Sequence, residues 1–141
     1  MPDRFDLERF VVAQDHGGTY AAALAELRRG RKTSHWMWFV FPQIAGLGRS
    51  GMAQAYAIAY LEQAQAYLAH PVLGARLREC SRVMADLEGR TAQQIFGGID
   101  ALKLRSSMTL FNRAAPEDPV FTSVLERYFD GVPDPETVAR L

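Results

Sequence analysis

The chain lacks most of what would announce a chemistry. Its 141 residues include one cysteine, Cys80, so no intrachain disulfide can form. Cys80 falls on the apolar face of a predicted helix, which suits a small buried hydrophobe better than a nucleophile. Three scattered histidines and that lone thiol leave no metal-ligand spacing. Excess charge is missing too. The 16 basic and 16 acidic side chains cancel, which argues against a broad nucleic-acid or anionic-membrane footprint but leaves room for a small local anion site. The same balance removes one barrier to self-association, so a homo-oligomer stays open. No stretch approaches the ~20 apolar residues of a membrane span. The acid-containing start, MPDRFDLERF, does not read as a secretory leader. A cytoplasmic protein without metal, cofactor, membrane or nucleic-acid partner is the expectation. The phosphate-binding P-loop and the nucleophile elbow are absent, as is any convincing β-hairpin, βαβ unit or repeat.

What is present is helical periodicity, with 48% hydrophobic residues to supply one core. Residues 6–14 predict a short helix with Leu7, Phe10, Val11 and Gln14 on one face. Thr19 is placed to cap a second, ended by Gly30, with Tyr20, Ala23, Leu24 and Leu27 inward and Glu26, Arg28 and Arg29 outward. Ser50 is placed to cap a long third helix running to His70, and Pro71 breaks it. Leu73, Leu77, Cys80, Met84 and Leu87 form the seam of a fourth. Thr91 to Gln94 fits a capping box for a short helix stopped by Gly97-Gly98. Asp100 is placed to cap the next, with Leu104, Met108 and Phe111 inward. Val120 to Phe129 gives an amphipathic helix, and Asp134-Pro135-Glu136 opens a last short one. The sum is an all-α fold of residues 1–141: a compact single-domain bundle of about seven or eight helices with short connections.

One stretch breaks the pattern. Residues 32–50, KTSHWMWFVFPQIAGLGRS, form an aromatic-rich irregular segment between helices two and three. It holds both tryptophans, and its four-residue run from Trp38 to Phe41 is too short to classify by period. Rings there plug a core or line a pocket with His35 and Gln43 supplying hydrogen bonds. Gly46-Leu47-Gly48-Arg49-Ser50 runs into a helix start, where close backbone approach and free amides favour an anion. A second polar cluster, Asp100, Lys103, Ser106 and Ser107, shares one helical face. It either caps and pairs locally or faces the aromatic segment.

The segments SHWMWFVFPQIAGLGRS, YAIAYLEQAQAYLAHPVLGARLREC, IFGGIDALKLRSSMTLF and VLERYFDGVPDPET, in that order, resemble a bacterial family known as domain of unknown function 1810. The resemblance spans nearly the whole chain. It implies a compact all-α single domain and brings no activity, cofactor or catalytic residue. It adds weight to Lys32, His35, Gln43, Ser50, Glu62, His70, Asp100, Lys103 and Ser106.

Two functions follow as expectations. The first is a binding domain, or a hydrolase or glycosidase, for a small anionic planar ligand such as a nucleotide or an ADP-ribose derivative. Trp36 or Trp38 would stack on the ring, and Gly48 and Ser50 would hold the anion. Lys32, Gln43, Asp100, Lys103 and Ser106 would complete the pocket, while His35 or Glu62 would move a proton. The second is a non-enzymatic interaction module with a structural aromatic core. Whether His35, Ser50, Glu62 and Lys103 converge on one cavity separates them.

Overall fold

The structure is a computed structural model describing residues 3–141. Among these residues every regular element is helical: α1 (Glu8–Asp15), a 3-10 turn (His16–Gly18), α2 (Thr19–Arg29), α3 (Met37–Val40), α4 (Gly51–Ala55), α5 (Leu61–Ala69), α6 (Leu73–Asp86), α7 (Ala92–Ala114), α8 (Pro119–Phe129) and α9 (Pro135–Ala139). The all-α, single-domain expectation holds. At 23 residues α7 is the longest, and it packs against α5, α8 and α9.

Helix ends follow local chemistry. Thr91 and Gln94 form the full capping box of α7, Asp118 and Asp134 accept amides at the starts of α8 and α9, and Gly30 closes α2 at φ 73°. Thr19 is the first residue of α2 rather than its cap, and its hydroxyl donates to the His16 carbonyl at 2.7 Å. His70 accepts the amides of Val72 and Leu73 on Nδ1, which ties α5 to α6.

The run from Trp38 to Phe41, too short to classify by period, lies mostly in the helical turn α3. Three further local expectations are corrected. The long third helix is broken into α4 and α5. Ile58 leaves the helix and pairs in parallel with Ile44: Ala45 N donates to Ile58 O, and Ile58 N to Gln43 O, each at 2.8 Å. Arg9 holds the break by donating to the carbonyls of Ala55 and Ala57. Asp100 caps nothing, because α7 runs on through a kink at Gly97, whose φ of 80° and ψ of 171° are a glycine conformation. Glu26, expected outward, is buried at 4% exposure.

A chain of rings joins the layers. Phe10 of α1 meets Tyr67 of α5 edge-on at 5.2 Å, Tyr67 meets Phe111 of α7 at 5.3 Å, and Phe111 meets Phe121 of α8 at 6.0 Å. A second cluster, Trp36, Phe41 and Phe96, lies between α3 and the start of α7, with centroids 6.3–6.4 Å apart. Pairs at these distances contribute beyond the area they bury.

Candidate functional site

The irregular segment is anchored from below by Glu26. Its carboxylate accepts the amides of Thr33 (2.7 Å) and Ser34 (2.9 Å), the Ser34 hydroxyl (2.5 Å) and the Trp36 indole N–H (3.0 Å). Burial alone would raise its pKa. The four hydrogen bonds more than offset that and hold it at about 2, so the buried group is a stable anion. The indole of Trp36 is thereby locked into the core at 0% exposure. This corrects the expectation that Trp36 stacks on a ligand, since it has no face to offer.

From that anchor the segment carries its polar side chains towards α7. Lys32 Nζ pairs with Asp100 Oδ2 at 2.9 Å, and Lys103 Nζ lies 3.5 Å from Asp100 Oδ1. Each ammonium also sits over an indole: Lys32 over Trp36 at 5.2 Å and Lys103 over Trp38 at 5.3 Å. Asp100 is thus shared by two lysines, which leaves the cluster with one net positive charge. Trp38 is half-buried and backs Lys103.

Beside this cluster lies a cavity of ≈ 320 Å³. Its walls come from three places: Gln43, Leu47 and Gly48 of the irregular segment, Ile99, Leu102, Lys103, Arg105 and Ser106 of α7, and Asp134 and Glu136 at the start of α9. A smaller neighbouring cavity of ≈ 140 Å³ reaches to α4 and shares Gln43 and Gly48. Gly48 is required by packing, because a Cβ there would stand 2.5 Å from that of Ala53. Ser106 is buried and donates to Asp134 Oδ2 at 2.8 Å. Burial would raise the Asp134 pKa, but hydroxyls of Thr137 and Ser106 and two backbone amides keep it below the usual carboxylate range. Arg105 is engaged as well, donating to the carbonyls of Val132 and Pro133.

The sequence-predicted residues therefore divide. Gln43, Gly48, Lys103 and Ser106 line one cavity, and Lys32, Asp100 and Trp38 adjoin it through Lys103. His35, Ser50 and Glu62 are exposed and line neither cavity. The Ser50 hydroxyl caps α4 by accepting the Ala53 amide at 3.1 Å. Sequence reasoning missed Glu26 and the contribution of Asp134 and Glu136. Glu26 had a readable signal, since it follows Ala23 by three and precedes the buried Leu27 by one. The return of α9 onto α7 left no signal in the local pattern.

The geometry defines a class first: a small all-helical domain with a mixed apolar-polar cleft between a long central helix, an aromatic loop and the C-terminal turn. The chain belongs to the family described as "Protein of unknown function (DUF1810)", whose model matches residues 4–141. The chain is similar to the crystal structure of the conserved hypothetical protein Rv1873 from Mycobacterium tuberculosis, at 52% identity and a TM-score of 0.95 over 99% of this chain and 98% of that one. A comparison with curated proteins gives no match. Among the described residues no helix is long and apolar enough to cross a membrane.

Proposed function

We propose that the protein is a small-molecule binding domain whose ligand carries an anionic group to Lys103. The observation that carries this reading is the convergence of Gln43, Gly48, Lys103 and Ser106 on one ≈ 320 Å³ cavity, at the lower end of the usual size for small-molecule sites. Asp100 is shared by two lysines, Asp134 is occupied by the hydroxyls of Ser106 and Thr137, and Glu136 pairs with Arg140 at 2.9 Å, so Lys103 is the cavity cation left to meet an incoming anion. Trp38 braces that ammonium. Leu47, Ile99 and Leu102 suit the apolar or planar body of the ligand. The Gln43 side-chain amide has no hydrogen-bond partner among the described residues and is available to a ligand. A nucleotide or ADP-ribose-like molecule meets these demands. Catalysis is not part of the proposal, because His35 and Glu62 stand outside the cavity.

Thermal-shift titration with nucleoside monophosphates, ADP-ribose and sugar phosphates tests this. At least one is expected to raise the melting temperature saturably, with the shift lost in Lys103→Ala and kept in His35→Ala. A flat response across the panel, or an equal response in Lys103→Ala, rules the proposal out. The interaction-module reading keeps one specific support: Ile99 and Leu102, 75% and 62% exposed, stand at the cavity rim. Ile99→Ser with Leu102→Ser would then abolish capture of a protein partner in a pull-down, whereas Lys103→Ala would leave that capture unchanged.

A further inference from the structure

A second concavity lies on the far side of Arg105, between the C-terminal half of α7 and α9. It measures ≈ 490 Å³ and is walled by Val132, Pro133, Pro135 and Val138 with the arginines Arg105 and Arg113. Its polar groups are almost all spent. Val132 N donates to Phe129 O at 2.9 Å, and Asp134 N to Thr109 Oγ1 at 2.9 Å. The two prolines have no N–H. The carbonyls of Val132 and Pro133 accept from Arg105 at 3.0 and 2.9 Å. Arg113 is the exception: among the described residues it makes no ion pair and no side-chain hydrogen bond, and it is an exposed member of the groove wall. It stands about 12 Å along the helix axis from Arg105. Val132 keeps 49% of its surface exposed, an apolar wall without a cover.

An occupant of this groove finds apolar contact from Val132, Pro133, Pro135 and Val138 and a single unpaired guanidinium, that of Arg113. The geometry points to a small aliphatic monocarboxylate, with its chain along Val132, Pro135 and Val138 and its carboxylate on Arg113. A polar sugar or a nucleotide would lose hydration there without regaining hydrogen bonds. An aliphatic amine would place like charge on Arg113. The inference does not rest on the proposed ligand of the first cavity, since Arg113 and Val138 do not line that cavity and Lys103 and Gln43 do not line the groove.

The test is a methyl-NMR titration of the full chain with octanoate at fixed pH and ionic strength, with octylamine and butyrate as comparison probes. Saturable shifts are expected at the methyls of Val132 and Val138 and not at Leu47. Octanoate is expected to bind more tightly than butyrate, and octylamine to leave the spectrum unchanged. Arg113→Gln, an exposed change expected to keep the wild-type circular dichroism spectrum, is expected to weaken octanoate about tenfold, while Arg49→Gln is expected to have no effect. Equal shifts with octylamine, unchanged affinity in Arg113→Gln, or shifts at Leu47 instead would overturn the assignment. So would octanoate-independent dimerisation in sedimentation that buries the same valines.

Discussion

At the scale of single residues, Glu26 does the most. One carboxylate turns a loop that has no periodicity into a fixed platform by accepting four hydrogen bonds within residues 33–36. A carboxamide cannot replace it, because its NH₂ would face donors. Glu26→Gln is expected to cost about 2–4 kcal/mol in urea unfolding at pH 7. The pH dependence has a definite sign. The folded-state pKa of about 2 lies below the ordinary value of 4.5, so the stabilisation is fully present above pH 4.5 and fades as pH falls towards 2. The gap between wild type and Glu26→Gln should therefore narrow between pH 4.5 and pH 2. A gap that stays constant over that window would show that the carboxylate is not the source.

At the scale of elements, close approach decides what amphipathic stripes leave open. Helices α5 and α6 meet at Gly74, which is buried, and a Cβ there would stand 2.0 Å from the carbonyl oxygen of Leu68. That atom is backbone and cannot swing aside. Gly74→Ala is expected to destabilise by about 1–3 kcal/mol or more, despite the better helix propensity of alanine. Chemical denaturation checks it, and a neutral or stabilised variant would show that the α5–α6 junction relaxes freely. The same logic explains the split of α4 from α5. Helix propensity favours continuation through Ala57 and Ile58. The parallel pairing of Ile58 with Ile44 and the two hydrogen bonds from Arg9 win instead, because they bury Ile58 completely.

At the scale of the molecule, one thiol reports on the integrity of the whole. Cys80 is fully buried, and burial pushes its pKa up to about 12. A thiol reagent at pH 8 is expected to leave native protein unlabelled over a time in which the urea-unfolded chain reacts completely. Labelling should follow the global unfolding rate, and Glu26→Gln should accelerate it. Rapid labelling of the native state would mean that α6 opens locally, without global unfolding.

The amino-acid sequence by itself determined the helical class and most helix ends. Those are short-range properties: the apolar seam of Leu73, Leu77, Cys80 and Met84, the Thr91–Gln94 box and the Asp134-Pro135 start each act within a few residues. The likeness of residues 34–50 and three later segments to a family was legible in the same way, as a pattern along the chain. Part of the cavity lining was readable as residue type, in Gln43, Gly48, Lys103 and Ser106. Only the tertiary structure decided that these four share one space, that Trp36 is sealed on Glu26, and that His35 and Glu62 stand apart. It also brought in Asp134 and Glu136, some thirty residues beyond Lys103, when α9 folded back onto α7. The reason is physical. Periodicity records which face of an element is buried, whereas a cavity forms where elements distant in sequence fail to fill the space between them, and no local pattern encodes that gap.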